Sequence, residues 1–425
     1  MKMKNKFTTI VTIAMLAIFG CGESWYQDVD PLLDVAEDRE LKDREDLPFL
    51  IKGVKVRLGT VHDHVSMLSD LLSDQLEFTQ NVENATFPSY NQIDGMGKAD
   101  QYDDGSGFDD NNSLGYAYTD LGQLRKYADL LIETVSGLDA SSATADDASA
   151  FFTGYLYGGL ARHMYATYFA LESGGDSGSP IDDSPMIYSA AMYDYARSKY
   201  TAALDYASDD EKRIVYSLIA RTYLYQKDYA SAASHAAQGM TDGDAPLVSE
   251  YSAMSTNEYY QHAGVGRTQC VVAGRFLDYV VADSGEAVRL PVQEAPTTTG
   301  ETQRYIQTKY DEASDPINII SWQENHLMLA ELSLRGESVV VSAADAVNAV
   351  RGVHGLAALT DVTLDVVYAE RDKELFGTGQ RLPDQNRWDS WHTTTNTGTT
   401  HQEDIFGAWK FLPVTRSEKN NNPNI

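Results

Sequence analysis

The chain has 425 residues, and its 63 Asp and Glu against 33 Lys and Arg give a formal net charge of −30 at pH 7. Such an acidic surface excludes nucleic acid as a partner and excludes attachment to anionic lipid headgroups by charge alone. The 43% of hydrophobic residues, with 26 Tyr and 5 Trp, form a composition that folds, unlike that of an acidic disordered chain.

The N-terminus has the pattern of a bacterial export signal. Three lysines precede an apolar run, residues 7–19, that is shorter than the ~20 residues of a membrane-spanning helix. The run ends in a Gly-Cys pair that resembles a lipoprotein box. We therefore expect residues 1–20 to be a signal peptide, Cys21 to carry the lipid, and residues 21–45 to form a tether and leading segment. The alternative for Cys21 is a buried thiol in a secreted protein.

Helical periodicity recurs along the rest of the chain. It is clearest in the segment 211–240, where Tyr229, Ala232, Ala233, Ala236, Ala237 and Met240 share one helical face. Two helices with such a small-residue seam resemble a tetratricopeptide unit. Further helices are predicted, in chain order, at 61–78, 116–135, 151–171, 192–206, 317–337 and 343–350. The predicted fold is mostly α, with dispersed tetratricopeptide-type helix pairs in one helical domain, residues 46–425.

Two long segments between the predicted helices lack this periodicity. Residues 80–114 are rich in Gly and Asn, residues 245–316 are mostly non-helical in pattern, and both carry tyrosines. Loops longer than ~12–15 residues in a compact protein are usually functional or disordered. Aromatic rings mixed with amide and hydroxyl side chains are typical of sugar sites, because rings stack on pyranose faces while polar groups bind hydroxyls.

The C-terminal part carries a group of charged residues in a fixed order. The segment "YAERDKELFGTGQRLPDQNRW" holds Glu370, Arg371, Glu374, Leu375, Gly379, Arg381, Asp384 and Arg387. We expect Arg371, Glu374 and Arg381 to form a buried or semi-buried ion network that fixes the C-terminal segment. The chain ends in "WKFLPVTRSEKNNNPNI", with a closing Asn-Pro pair.

This ordered set resembles the SusD/RagB family of outer-membrane lipoproteins, whose E-R-x-x-E-L-x-x-E-G-x-R-x-x-D-L-x-R motif these residues follow. Thr378 stands where the family has Glu, and Pro383 and Gln385 also depart from the pattern. The resemblance covers nearly the whole mature chain. It implies a SusD-like helical fold and a lipid-anchored protein on the cell surface. It also implies capture of oligosaccharide, without catalysis, for a partner SusC-like TonB-dependent transporter that the protein covers as a lid.

In that family the ligand sites lie in loop excursions between the helices. The resemblance therefore directs the search to the two irregular segments, 80–114 and 245–316. The candidate ligand-binding residues are Tyr90, Asn91, Tyr102, Tyr259, Tyr260 and Arg267.

Catalytic and metal-binding patterns are largely missing from the sequence. There is no Walker loop, GxSxG elbow, HExxH motif or Cys-His arrangement, so an enzyme and a cofactor are not expected. His62-Asp63-His64 is interpreted as a solvated helix start, because residues two apart on a helix do not face each other. The acidic run that contains Asp100, Asp103, Asp104, Asp109 and Asp110 lacks the closing Glu of an EF-hand, which leaves a structural calcium as the weaker alternative.

Three other functions stay open at this point. The same fold could bind a peptide or another non-glycan nutrient. A periplasmic tetratricopeptide-type scaffold lipoprotein is a second alternative, and an unrecognised glycosidase is a third, because chance carboxylate pairs abound among 63 acidic residues.

Overall fold

Long amphipathic helices make up most of the computed structural model, which describes residues 41–82, 88–96, 108–388 and 409–425. The helices are α1 (Leu47–Leu72), α2 (Pro88–Met96), α3 (Asn112–Ser136), α4 (Ala145–Tyr168), α5 (Ser189–Ala203), α6 (Asp209–Tyr225), α7 (Tyr229–Ala236), α8 (Glu258–Ala263), α9 (Arg275–Ala282), α10 (Trp322–Leu334), α11 (Ala343–Val353), α12 (Leu364–Glu374), α13 (Arg381–Trp388) and α14 (Arg416–Asn421). The mostly α fold class that the sequence predicts is thus confirmed.

Short strands join these helices as two-stranded ladders. The strands are β1 (Leu76–Phe78), β2 (Phe169–Ala170), β3 (Gly178–Ser179), β4 (Ile187–Tyr188), β5 (Leu247–Ser249), β6 (Cys270–Val272), β7 (Val292–Glu294), β8 (Tyr305–Gln307), β9 (Ile317–Ile320) and β10 (Leu412–Pro413). Strand β1 pairs antiparallel with β6, β3 with β4, β5 with β9 and β7 with β8, whereas β10 runs parallel to β2. The β1–β6 ladder ties the region 245–320 to the segment that follows α1, whereas the β5–β9 and β7–β8 ladders lie within the region.

Consecutive helices pack as pairs around one hydrophobic core. Helices α3 and α4, α4 and α5, α6 and α7, and α10 and α11 make extensive contacts, and α1 packs closely against both α3 and α4. Small residues allow the close approach. A Cβ built on Gly159 of α4 would lie 2.6 Å from the Tyr200 ring of α5, so only glycine fits there. Residues Leu47–Ile425 form one compact unit.

Polar caps set where the paired helices begin. The Ser208 hydroxyl accepts a hydrogen bond from the Glu211 amide, and the Glu211 carboxylate accepts one from the Ser208 amide, which forms a capping box at the start of α6. The Asp228 carboxylate accepts from the Ser231 amide and begins α7 three residues after α6 ends. This short connection produces the tetratricopeptide-type pair that the alanine seam predicts.

The structure corrects several predicted boundaries. Segment 80–114 holds helix α2 and the first turn of α3, so it is not irregular throughout, whereas segment 245–316 is mostly non-helical as predicted and holds only the short helices α8 and α9. Helices α2, α8 and α9 have only nine, six and eight residues, fewer than the about 11–18 residues over which a helical period is recognised. The predicted helix 61–78 is wrong at its end as well. Its last residues form strand β1, and the helix starts earlier, at Leu47.

The charged C-terminal residues join α10, α12, α13 and the segment after α1 through buried ion pairs. Arg371 of α12 donates to both carboxylate oxygens of Asp384 on α13, at 2.8 and 3.2 Å. Arg387 of α13 pairs with Asp384 and with Glu331 of α10, and Arg381 binds Asp74, which follows α1.

A second group of pairs surrounds α12. Glu370 accepts from Arg289, Arg351 and Lys373, and Glu374 pairs with His354 and Arg289. All of these pairs lie inside the protein, where a carboxylate is tolerated only when it is paired. The arrangement is the kind of ion network that the sequence leads us to expect for Arg371, Glu374 and Arg381.

Gly379 of the same motif has a backbone role. Its φ is +74°, and a Cβ there would lie 2.8 Å from Ser66 of α1. Its carbonyl accepts a hydrogen bond from the Ser69 hydroxyl at 3.1 Å. Because a side chain at this position would be both strained and blocked, glycine lets the turn before α13 lie directly on α1.

Candidate functional site

A pocket of about 180 Å³ opens where α1, α2, α3 and α8 meet. Its lining combines aromatic, imidazole, hydroxyl and carboxylate side chains: His64, Met67, Leu68, Tyr90, Ser113, Tyr116, Glu258 and His262. Met67 and Leu68 belong to the core and form an apolar floor. We refer to this set of eight residues as the α1–α8 pocket.

Helix α8 brings a carboxylate and an imidazole to the pocket. The Asn257 side chain caps the helix by accepting hydrogen bonds from the Tyr259 and Tyr260 amides, at 2.8 and 3.3 Å. The Glu258 amide donates to Asp63 of α1 at 3.1 Å, which fixes the helix against α1. Glu258 and His262 are four residues apart and therefore share one helical face.

Helices α2 and α3 supply the tyrosines. Tyr90 of α2 is only 6% exposed, and its hydroxyl donates to Glu258 Oε2 at 3.3 Å. Its ring packs edge-on against His262, with ring centroids 5.2 Å apart. Tyr116 of α3, in contrast, is 68% exposed. The pocket thus has one tyrosine built into its wall and one whose ring is available to a ligand.

Hydrogen bonds fix α2 against the start of α3. The Asn111 amide nitrogen donates to the Ser89 carbonyl at 2.9 Å and to Gln92 Oε1 at 2.8 Å, while its oxygen caps α3. The Ser113 hydroxyl donates to the Ser89 hydroxyl at 3.0 Å. These contacts place Tyr90, Ser113 and Tyr116 around the same opening.

The charges of the pocket are held in opposed pairs. Glu258 lies between two imidazoles, with its Oε1 3.4 Å from His64 Nε2 and its Oε2 3.1 Å from His262 Nε2. Burial disfavours the imidazolium form of His64, but hydrogen bonds and charges from Asp120 and Glu258 outweigh it and raise the pKa of His64 to about 10. Burial also opposes ionisation of Glu258, yet His262 and His64 hold the pKa of that carboxyl below its usual range.

This arrangement suits binding of a hydroxyl-rich molecule. An exposed tyrosine ring offers a stacking face, and the ionised Glu258 and the Ser113 hydroxyl are acceptors for hydroxyl groups. It suits acid catalysis poorly, because a carboxyl with a lowered pKa does not donate its proton near neutral pH. Across the described ranges, no group of three or more His, Cys, Asp or Glu side chains is arranged to hold a metal ion.

The six predicted ligand-binding residues have different positions. Tyr90 lines the α1–α8 pocket. Asn91 lies on the same helix but does not line the pocket, and Tyr102 is outside the described residues. Tyr260 is half-buried beside the pocket, where its carbonyl accepts from the Gly266 amide at 3.0 Å, and Arg267 is exposed in the loop after α8.

The structure contradicts the prediction for Tyr259. This residue is 0% exposed, and its hydroxyl donates to Asp70 of α1 at 2.6 Å. Its ring packs near Tyr310, at 5.4 Å between centroids. Tyr259 is therefore a core residue that holds α8 against α1, because a ligand cannot reach a side chain with no exposed surface.

The interpretation of His62-Asp63-His64 as a solvated helix start is wrong in both position and exposure. The three residues lie in the middle of α1, and His62 and Asp63 are buried. As expected for residues two apart, the imidazoles face different groups. His62 Nδ1 is 2.8 Å from the Ser249 hydroxyl, whereas His64 lies beside Glu258.

Only part of the acidic run considered for calcium is described. Asp109 and Asp110 form ion pairs with Arg416, and Asp109 also pairs with Lys419 of α14. Asp100, Asp103 and Asp104 lie outside the described residues, as does the predicted lipidation site Cys21.

Sequence reasoning missed most of the pocket. His64, Ser113, Tyr116, Glu258 and His262 were not among the predicted ligand-binding residues. One signal was available: Glu258 and His262 stand four residues apart in the aromatic segment 245–316, directly after the capping residue Asn257. The approach of α1 to α8 depends on tertiary packing, and no local pattern encodes it.

Similarity to solved structures identifies the fold. A SusD superfamily protein from Bacteroides thetaiotaomicron is 18% identical, with a TM-score of 0.67 over 90% of this chain and 98% of that one. A structure described as a laminarin binding SusD-like protein is 15% identical, with a TM-score of 0.67 over 90% and 100% of the two chains. Surface glycan-binding protein A from Bacteroides uniformis is 17% identical, with a TM-score of 0.60 over 90% and 99%.

The chain therefore has the SusD-like fold, as the sequence resemblance predicts. Neither a scan of protein-family models nor a search of curated proteins yields a match. No helix among the described residues is long and apolar enough to cross a membrane.

Proposed function

We propose that this protein is a cell-surface lipoprotein that binds oligosaccharide in the α1–α8 pocket and passes it to a TonB-dependent outer-membrane transporter. The observation that carries the binding step is the exposed Tyr116 ring beside the fixed Glu258 carboxylate. A ring face and nearby hydrogen-bond acceptors are what a sugar needs from a protein. Structures with the same fold include proteins described as laminarin binding and surface glycan-binding, which supports the same ligand class here.

The binding step requires no chemistry. Glu258 is the one carboxylate among the described residues that line the pocket, and its lowered pKa keeps it ionised. Glycoside hydrolysis generally needs a second carboxyl group, one of the pair with a raised pKa. We therefore propose that the bound oligosaccharide leaves the pocket unchanged.

A screen of the mature protein, residues 21–425, against oligosaccharides and peptides tests the ligand class. We expect saturable binding to at least one oligosaccharide by titration calorimetry and no change in its length by chromatography. Binding to peptides alone would exclude the glycan, and shortening of the oligosaccharide would establish a glycosidase.

Delivery to a transporter rests on the fold and on the predicted anchor at Cys21. We expect a large TonB-dependent transporter to be encoded beside this protein and to co-purify with it from detergent-solubilised outer membranes. We also expect a protease added to intact cells to degrade the protein. Full protection from that protease would favour the periplasmic scaffold instead.

A further inference from the structure

We infer that the α1–α8 pocket selects uncharged sugars and rejects acidic ones such as uronates and sulfated sugars. This inference rests on the proposed oligosaccharide binding and narrows its ligand class. It follows from the ion pairs that the charged side chains in and beside the pocket form with one another.

The basic side chains in and beside the pocket already face carboxylates. Arg57 Nη1 donates to Asp120 Oδ1 at 2.9 Å. His64 lies between Asp120 and Glu258, at 3.8 and 3.4 Å, and His262 is 3.1 Å from Glu258. An acidic sugar is bound best by a guanidinium or ammonium group that is free to form charge-assisted hydrogen bonds. Among the described lining residues there is no Arg or Lys.

An acidic sugar would also meet a fixed negative charge. Glu258 is held by two imidazoles and by the Tyr90 hydroxyl, so its carboxylate cannot turn away from the pocket. To pair with His64, an anion would have to displace Glu258 and deprive that carboxylate of one of its two imidazole partners in a partly buried site. The pKa of His64, raised to about 10, and the lowered pKa of Glu258 keep this pair charged throughout the neutral range. The net charge of −30 on the chain adds long-range repulsion.

A neutral sugar fits the same groups without these conflicts. Each carboxylate oxygen can accept about two hydrogen bonds, and Glu258 Oε1 accepts only from His64 in the described contacts. Its remaining capacity suits a sugar hydroxyl, which is a donor, and not a sugar carboxylate, which is an acceptor. Tyr116 can stack on either kind of ring, so the selection comes from Glu258 and its partners.

An array of neutral, uronic-acid-containing and sulfated oligosaccharides tests this inference with the mature wild-type protein. We expect the neutral glycans to bind at least tenfold more tightly than any acidic one, with affinity insensitive to added salt. Tightest binding to an acidic glycan, weakened by salt, would overturn the inference and leave the proposed function intact. No binding to any glycan would refute both.

Two variants should change the selectivity in a predictable direction. Glu258→Gln removes the nearer of the two carboxylates beside His64. Asp120→Asn frees Arg57 and removes the other carboxylate beside His64, without altering Glu258. Both should gain affinity for uronic-acid-containing glycans by about tenfold, and the gain should disappear in high salt.

Glu133→Gln is the matched control, because it makes the same charge change at an exposed position of α3. It should keep the wild-type selectivity. Thermal unfolding must show that each variant is folded before binding is compared. If folded Glu258→Gln and Asp120→Asn both select neutral glycans as strongly as wild type, the charge pairs do not set the ligand class.

Discussion

Exposure and hydroxyl partners separate the tyrosines that can meet a ligand from those that build the fold. Tyr259 and Tyr90 have hydroxyl groups bound to Asp70 and Glu258, whereas Tyr116 projects from the surface beside the pocket. Tyr90 and Tyr259 fall in the two irregular segments, whereas Tyr116 is the first residue of the predicted helix 116–135, where no ligand contact is expected. The sequence could therefore predict that tyrosines matter in these segments, but not which of them a ligand can reach.

Replacing Tyr116 tests whether its ring is the stacking face. We expect Tyr116→Ala to weaken oligosaccharide binding by about tenfold, because aromatic contacts are worth on the order of 1 kcal/mol beyond simple burial. The melting temperature should change little, since the ring is 68% exposed. The control is Tyr195→Ala, which truncates a tyrosine that is 50% exposed on α5. This variant should bind oligosaccharide with the same affinity as wild type. Equal affinities for the two variants would remove Tyr116 from the site.

The raised pKa of His64 predicts that the stability of the protein depends on pH. Its pKa is raised from 6.5 to about 10 in the folded protein, so the stabilisation it provides is complete below pH 6.5 and is lost as the pH rises towards 10. The quantity to compare is the free energy of unfolding of wild type minus that of His64→Gln. This difference should be roughly 1–3 kcal/mol larger at pH 6 than at pH 10, a range reduced for solvent screening because His64 is partly exposed. Urea unfolding of both proteins measures this difference, and other titrating groups cancel in it. A difference independent of pH would show that His64 is not held charged.

At the scale of elements, periodicity predicted the long helices well and the short ones poorly. Helices α3 to α6 lie close to their predicted positions because each is long enough to show a helical period, whereas α7 ends at Ala236, before the Met240 that the predicted face includes. Helices α2 and α8, which carry Tyr90 and Glu258, are too short for a periodic signal and depend on caps and on contacts with α1. Most of the fold was therefore predictable from local patterns, whereas the pocket depends on elements fixed by tertiary contacts.

The ion network between α10, α12 and α13 should be a major source of stability. Arg387→Met would leave the buried Glu331 without its two closest hydrogen bonds, at 2.5 and 2.7 Å. We expect the free energy of unfolding to fall by about 3 kcal/mol, at the low end for a broken buried pair because Arg335 still contacts Glu331.

Lys212→Met is the matched control for this experiment. Its partner Asp209 is largely exposed, and such a surface pair should cost less than about 1 kcal/mol. Similar losses in the two variants would mean that the buried network contributes no more than a surface pair does.

At the scale of the whole molecule, the predicted lipid anchor accounts for how a strongly acidic protein is held at a membrane. A chain with a net charge of −30 has no electrostatic attraction to an anionic membrane, so the proposed membrane attachment needs another source. Acyl chains on Cys21 would hold the protein at the membrane whatever the charge of its folded part.

Cys21→Ala tests the anchor. We expect this variant to fold and to bind oligosaccharide as wild type does, while it leaves the membrane fraction after cell breakage. The experiment needs cells without the partner transporter, because binding to the transporter could retain the protein. If the variant stayed with the outer membrane in such cells, Cys21 would not be the attachment point.

The central claim is that oligosaccharide binds in the α1–α8 pocket. A crystal structure of the mature protein with the tightest-binding oligosaccharide from the screen tests it most directly. We predict a sugar ring stacked on Tyr116 with a hydroxyl within hydrogen-bonding distance of Glu258. A sugar bound only at another surface, with this pocket holding solvent, would contradict the account.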